Sequence, residues 1–273
     1  VPNIQNIKAP VSLIAHGRSG TSLLFKAFAA RGDMDCVGEA GNMVFTTWRA
    51  LEQVSGLTRY GKVENPNVYG RDAGALVRKA FLTIYPSERE HWMMKPIGTP
   101  RIMWDFPGND WDAFATWYWK VFNTSFPQAR KFTIIRNPND VFLSSKKFWG
   151  GKDLALWRAQ YIMYKIIAHE DAGLRHIMLY DQLVADPEPQ MRRMMERIGV
   201  PFSDKMMKAF GQLHVPSEGV HVQSDPGGAL QEKAAKGFSR EDEWGSIEDA
   251  EFREEAMAEY AKLRSRALEN SGT

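Results

Sequence analysis

Cysteine is almost missing from this chain: of 273 residues only Cys36 carries a thiol. One thiol makes neither an intrachain disulfide nor a cysteine-based zinc site, so a reducing compartment fits, and the cytoplasm is the expected location. No apolar run approaches the length of about eighteen residues that a membrane-spanning helix requires, and Val1 to Pro10 lacks the character of a signal peptide. Charge of one sign is also scarce. A net charge of +2 supplies no general field to gather nucleic acid, so no nucleic-acid partner is expected and any basic site must be local. There is no His-Glu-x-x-His, and His169-Glu170 lacks a second histidine, so no metal is expected. Internal repeats and low-complexity tracts are absent as well.

What is present is an ordinary globular composition, 44% hydrophobic and 25% charged. Apolar runs alternate with amphipathic stretches, the pattern of an α/β fold with a mainly parallel sheet flanked by helices, expected here as a single domain over residues 1–273. The organising stretch is Val11 to Leu24. It reads as a short buried strand, a tight turn on Gly17 and Gly20, and a helix with Leu23, Leu24, Ala27 and Phe28 inward. Such a corner offers backbone N–H groups and the positive end of a helix dipole, which suits a phosphate group. The loop nevertheless lacks the Gly-Lys-Ser/Thr ending of an ATP or GTP site, and its one cation is Arg18. By itself a Gly-x-x-Gly corner is equally compatible with no ligand.

Further along, Asp35 to Gly38 reads as a second strand closed by Glu39, and Asn42 as the cap of a helix holding Val44, Trp48, Leu51 and Val54. Residues 54–70, rich in glycine, read as loop. Helical periodicity returns from Asp72 to Tyr85, stopped by Pro86. The segment His91 to Lys95 is a compact strand ending in a cation, and 98–108 is turn-rich. A helix from Trp111 to Phe122 precedes the clearest strand, Lys131 to Ile135, which runs into Arg136-Asn137-Pro138. Asn139 or Asp140 is the expected cap of the next helix, to about Trp149. Then come a helix from Leu154 to Ala168, a strand from His176 to Tyr180, a helix from Pro189 to Ile198, an irregular polar stretch at 214–246, and a charged helix from about Ile247 to Leu268. The carboxyl ends of parallel strands share one crevice, so the Arg18 loop, Glu39, Lys95, Arg136 and Tyr180 are expected to form one site.

Those residues resemble a known family. The loop His16-Gly-Arg-Ser-Gly-Thr-Ser22 is similar to the 5′-phosphosulfate loop of sulfotransferases that use 3′-phosphoadenosine 5′-phosphosulfate (PAPS). The stretch Ile135 to Ser144 resembles their 3′-phosphate motif, an arginine with a serine eight residues on, here Arg136 and Ser144. Tyr180-Asp-Gln-Leu resembles the segment whose tyrosine lies near the adenine. The resemblance implies a P-loop-like sulfotransferase architecture, PAPS as co-substrate, and Gly17, Arg18, Ser19, Gly20, Thr21, Ser22, Arg136, Ser144 and Tyr180 as its binding residues. The cytosolic members' Lys-x-His is replaced by Lys95-Pro96-Ile97, without the histidine. Cys36-Val-Gly-Glu39-Ala instead resembles the Cys-Gly-Glu-Glu stretch of tyrosylprotein sulfotransferases, which implies Glu39 as general base. Lys236 and Gly237 match part of the loop that closes over the nucleotide, so 214–246 is a candidate lid. Phe148 stands where a further phosphate-binding arginine is expected.

The chemistry implied is in-line attack of an acceptor hydroxyl on sulfur, with Arg18 and Lys95 as cations on the developing charge and Glu39 accepting the proton. The acceptor is a small-molecule, carbohydrate, lipid or peptide hydroxyl. Each residue also has a plainer role open to it. Arg18 and its neighbours suit a helix start, Arg136 a salt bridge, Glu39 a solvated loop, Lys95 a strand edge and Tyr180 the core. Two other functions compete at this stage: a nucleotide-dependent kinase, disfavoured by the missing loop lysine, and a catalytically silent nucleotide-binding protein.

Overall fold

The computed structural model describes residues 9–57, 66–87, 89, 91–96, 110–150, 152–211 and 250–269. Five strands form one parallel sheet: β1 (Val11–Leu13), β2 (Met34–Glu39), β3 (His91–Lys95), β4 (Arg130–Ile135) and β5 (His176–Leu179), in the order β2-β3-β1-β4-β5. Register is fixed by pairs such as Ser12 with Met94 on one side and Leu13 with Phe132 on the other. The described helices longer than four residues are α1 (Thr21–Ala30), α2 (Gly41–Leu57), α3 (Pro66–Ile84), α4 (Trp111–Ser125), α5 (Pro138–Trp149), α6 (Asp153–Ala168), α7 (Tyr180–Ala185), α8 (Pro187–Ile198) and α9 (Ala250–Glu269).

Strand side chains alternate, so each strand feeds two cores. Trp92, Met94, Ile135, Ile177 and Leu179 join the larger core, which packs against α2 to α6 and α9. Val11, Leu13, Met93, Phe132, Ile134 and Met178 join the smaller one, against α1, α7 and α8. Helix spacing answers this: Met191, Met194, Met195 and Ile198 put one buried stripe on α8, and Ala256, Tyr260, Leu263 and Ala267 do so on α9. Burying each such large side chain contributes on the order of 2 kcal/mol.

The same division places the site. The chain leaves β1 toward the smaller core through α1, whereas β3 and β4 send α4 and α5 to the larger one. Connections that part to opposite faces beside β1 leave a crevice at the strands' carboxyl ends.

Several expected boundaries move. Helix α3 begins at Pro66, inside the stretch read as loop, because proline suits a first helical turn whose N–H has no acceptor. For the same reason Pro138 opens α5, and its cap is Asn137, whose side chain accepts from the Asn139 N–H at 3.0 Å, rather than Asn139 or Asp140. Asn42 lies within α2, which starts at Gly41, and Trp111 follows an Asp110 cap that accepts from the Ala113 N–H at 2.9 Å. Tyr180 opens α7 rather than ending β5. The turn-rich 98–108 and irregular 214–246 segments lie outside the described residues.

Candidate functional site

The loop after β1 is held in an uncommon shape. Arg18 has φ 69°, the left-handed region that a residue with a Cβ seldom occupies, and Gly20 follows at φ 99°. Glycine is required there twice over, because a Cβ on Gly20 would lie 2.7 Å from Cδ2 of Tyr180. Gly20 is also the N-cap of α1 and makes no side-chain cap, so no side chain occupies the position in front of the first turn. Backbone N–H groups at a helix start then serve an outside acceptor. Inside the loop the Ser19 hydroxyl is fully buried and has no hydrogen-bond partner.

Residues that follow β4 and β5 close over this loop. Arg18 Nε donates to Ser144 Oγ at 3.1 Å, across 126 positions of sequence. Arg136 reaches back, its Nη1 3.5 Å from the Arg18 carbonyl oxygen, while its guanidinium lies 4.4 Å over the ring of Tyr180. Its Nε has no hydrogen-bond partner; the Asp140 carboxylate pairs with it at 3.6 Å, too long for one. Burial, and then the charge of Arg136, push the Arg18 guanidinium below its ordinary range, though an arginine stays charged. Asp140 is pushed upward by its own burial, opposed by Arg136. Two guanidiniums crowded together with one half-buried carboxylate form an electrostatic arrangement that an anion would relieve. The Arg136 carbonyl accepts from the Tyr164 hydroxyl at 2.6 Å, which anchors the exit of β4.

A second group sits at the ends of β2 and β3. Val37 pairs with Met94 but Glu39 pairs with Lys95, so Gly38 is the extra residue of a β-bulge. In an unbroken strand Glu39 would share the face of Val37, which packs on the larger core. The bulge turns Glu39 to the face of Lys95 instead, and their charges meet at 3.4 Å. The Glu39 side chain is 65% exposed and Lys95 only 9%. Lys95 Nζ also lies 5.6 Å from the ring centre of Phe25, one turn after Thr21 on α1. Helix α1 therefore carries the phosphate-ready loop at its start and touches the Glu39–Lys95 pair one turn later.

The sequence profile described as the Sulfotransferase family matches residues 10–204, more than half of the chain. The chain belongs to the sulfotransferase family. Among solved structures it is similar to a sulfotransferase domain from the curacin biosynthetic pathway, with a TM-score of 0.50 and 13% identity over 75% of this chain and 79% of that one. A sulfotransferase domain from the olefin synthase of Synechococcus PCC 7002 matches 91% of this chain and 94% of its own at 13% identity and a TM-score of 0.46. At such identity the likeness concerns fold, and the fold comparison rests on the first. No curated protein sequence matches the chain.

In this sulfotransferase the residues expected from sequence fall into the two groups just described. Gly17, Arg18, Ser19, Gly20, Thr21, Arg136, Ser144 and Tyr180 come together around the loop, with Ser22 beside them on the first turn of α1. Glu39 and Lys95 form the second group. Lys236 and Gly237 lie outside the described residues. Tyr180 packs against Gly20 and beneath Arg136, a buried place. Sequence reasoning missed three participants. Asp140 had a signal, the four-residue spacing from Arg136 on a helix. Tyr164 and Trp149 had none, because their contacts with the Arg136 carbonyl and with Gly17 depend on the packing of distant elements.

Proposed function

We propose that this sulfotransferase moves the sulfuryl group of PAPS to an acceptor hydroxyl. The observation that carries the reading is the Arg18–Ser144 hydrogen bond of 3.1 Å, which unites the loop after β1 with the arginine–serine motif after β4. A nucleotide with anionic groups on both its 5′ and 3′ positions needs two adjoining anion sites, and these motifs supply cations and donors to both. The unpartnered Ser19 hydroxyl, the Arg136 Nε that pairs with Asp140 but makes no hydrogen bond, and the uncapped start of α1 fit such a ligand.

In this reading Gly17 to Ser22 bind the 5′ end through backbone N–H groups, and Arg136 and Ser144 hold the 3′-phosphate. Tyr180 supports Arg136 from below. PAPS supplies an activated sulfuryl group: the acceptor oxygen bonds to sulfur, the bond from sulfur to the bridging oxygen breaks, and adenosine 3′,5′-bisphosphate leaves with the electron pair. Arg18 and Lys95 face the charge that develops on the bridging and sulfuryl oxygens. Glu39, exposed at the crevice, takes the acceptor's proton, while its ion pair with Lys95 orients both groups. Lys236 and Gly237 enter as a lid by resemblance alone. The acceptor is a small-molecule, carbohydrate, lipid or peptide hydroxyl.

The test pairs binding with turnover. Adenosine 3′,5′-bisphosphate without Mg²⁺ should raise the Tm, and labelled PAPS should pass label to members of a hydroxyl-acceptor panel. Stabilisation by ATP with Mg²⁺ in its place would assign the chain to phosphoryl transfer, and binding without turnover across the panel would make it a nucleotide-binding protein.

A further inference from the structure

Two aromatic residues at the end of α5 belong to neither hydrophobic core. Phe148 and Trp149 pack instead on the loop after β1. The Arg18 guanidinium lies 4.3 Å over the centre of the Phe148 ring. Trp149, 53% exposed, covers Gly17 so closely that a Cβ there would lie 2.6 Å from its Cη2. Its ring meets His16 edge-on at 6.1 Å and Phe148 at 6.1 Å. Ser144 and Phe148 are four residues apart on α5, hence on one helix face. That face gives Arg18 an acceptor for its Nε and a flat surface for its guanidinium plane.

We propose that Phe148 is a positioning residue, which holds the Arg18 guanidinium flat against α5 so that its remaining N–H donors face the phosphate loop. This rests on the PAPS reading above and adds to it a residue that replaces a cation with a brace. An arginine side chain is long and loses rotamer freedom when fixed, so a loop that depends on one guanidinium gains by holding it before the ligand arrives. An arginine at position 148 would add charge to the site but would repel Arg18; a ring attracts it. The left-handed backbone at Arg18 is consistent with a side chain directed by its contacts, since that conformation persists only where surroundings impose it.

The test compares F148L, which keeps apolar bulk without a ring, with F148W, which keeps the ring. The first readout needs no nucleotide: the Nε–Hε resonance of Arg18, assigned by its loss in R18K. It should carry an upfield ring-current shift in the wild type and in F148W, and lose it in F148L. The second is steady-state kinetics with PAPS, where F148L should lower kcat about tenfold with donor KM changed less than about twofold, and F148W should recover most of the rate. An Arg18 resonance unchanged in F148L overturns the proposal, as does an equal loss of rate in F148L and F148W, which would mean that the ring is not what Arg18 depends on. If the wild type neither binds adenosine 3′,5′-bisphosphate nor turns over PAPS, the proposed function fails. The resonance alone then decides whether Phe148 holds Arg18.

Discussion

Replacing Arg136 by alanine separates the 3′-phosphate assignment from a structural role for that arginine. Without ligand, its polar contacts are long: 3.5 Å to the Arg18 carbonyl and 3.6 Å to Asp140, with Tyr180 stacked at 4.4 Å. None has the length of about 2.8 Å that marks a strong charge-assisted bond, so most of the guanidinium's donor capacity is available to an anion. A pair of such bonds to a phosphate contributes on the order of 3 kcal/mol, about a hundredfold in affinity. The substitution also removes repulsion on Arg18 and leaves Asp140 half-buried without its cation, two effects of opposite sign on the fold. Calorimetry with adenosine 3′,5′-bisphosphate and with adenosine 5′-monophosphate, on wild type and R136A, reads the difference. The bisphosphate should lose about a hundredfold and the monophosphate less than about threefold. An equal loss for both nucleotides, or none for either, would refute the assignment of Arg136 to the 3′-phosphate.

Three further outcomes are expected. Gly20→Ala combines a left-handed backbone, costing about 1–2 kcal/mol, with overpacking on the Tyr180 ring, costing about 1–3 kcal/mol. Urea unfolding should register a loss of about 3 kcal/mol, and a loss near zero would contradict the close approach. Glu39→Gln keeps shape but removes proton acceptance, so a general base predicts a kcat about a hundredfold lower with nucleotide affinity nearly intact, and a smaller loss with acidic phenol acceptors. Equal losses for acidic and weakly acidic acceptors would make Glu39 an orienting partner of Lys95. Burial lowers the His16 pKa from 6.5 to about 4, against an opposing hydrogen bond to the Gly17 carbonyl. The unfolded chain thus takes up the proton first as pH falls, so the stability from neutral His16 is present above pH 6.5 and is lost toward pH 4. That amounts to about 2 kcal/mol between pH 7 and pH 5, and His16→Asn should flatten that part of a urea-midpoint profile against pH.

The strands and most helices were legible because each is written in a few consecutive residues. The strand His91–Lys95 and the helix Pro138–Trp149 show their period and turn residues within a dozen positions. Errors lay at prolines: Pro66 begins a helix six residues before Asp72, where periodicity placed the start, and Pro138 opens one whose cap, Asn137, lies two or three residues before the expected Asn139 or Asp140. The phosphate-loop residues and Arg136 with Ser144 were legible for the same local reason, as short motifs with characteristic chemistry.

Sequence alone determined which residue types stand at each strand's carboxyl end, since that depends on local pattern. Tertiary structure decided which of them meet. Arg18 reaches Ser144 because β1 lies beside β4, and Glu39 reaches Lys95 because a bulge at Gly38 reverses the face it presents. Phe148, which the sequence marks only as a missing arginine, becomes a partner for Arg18 when α5 packs over the loop. Strand order and the direction of each crossover follow from burying two faces of one sheet at once. No local stretch of chain carries that information, because the free energy that selects the arrangement belongs to contacts between residues far apart in sequence.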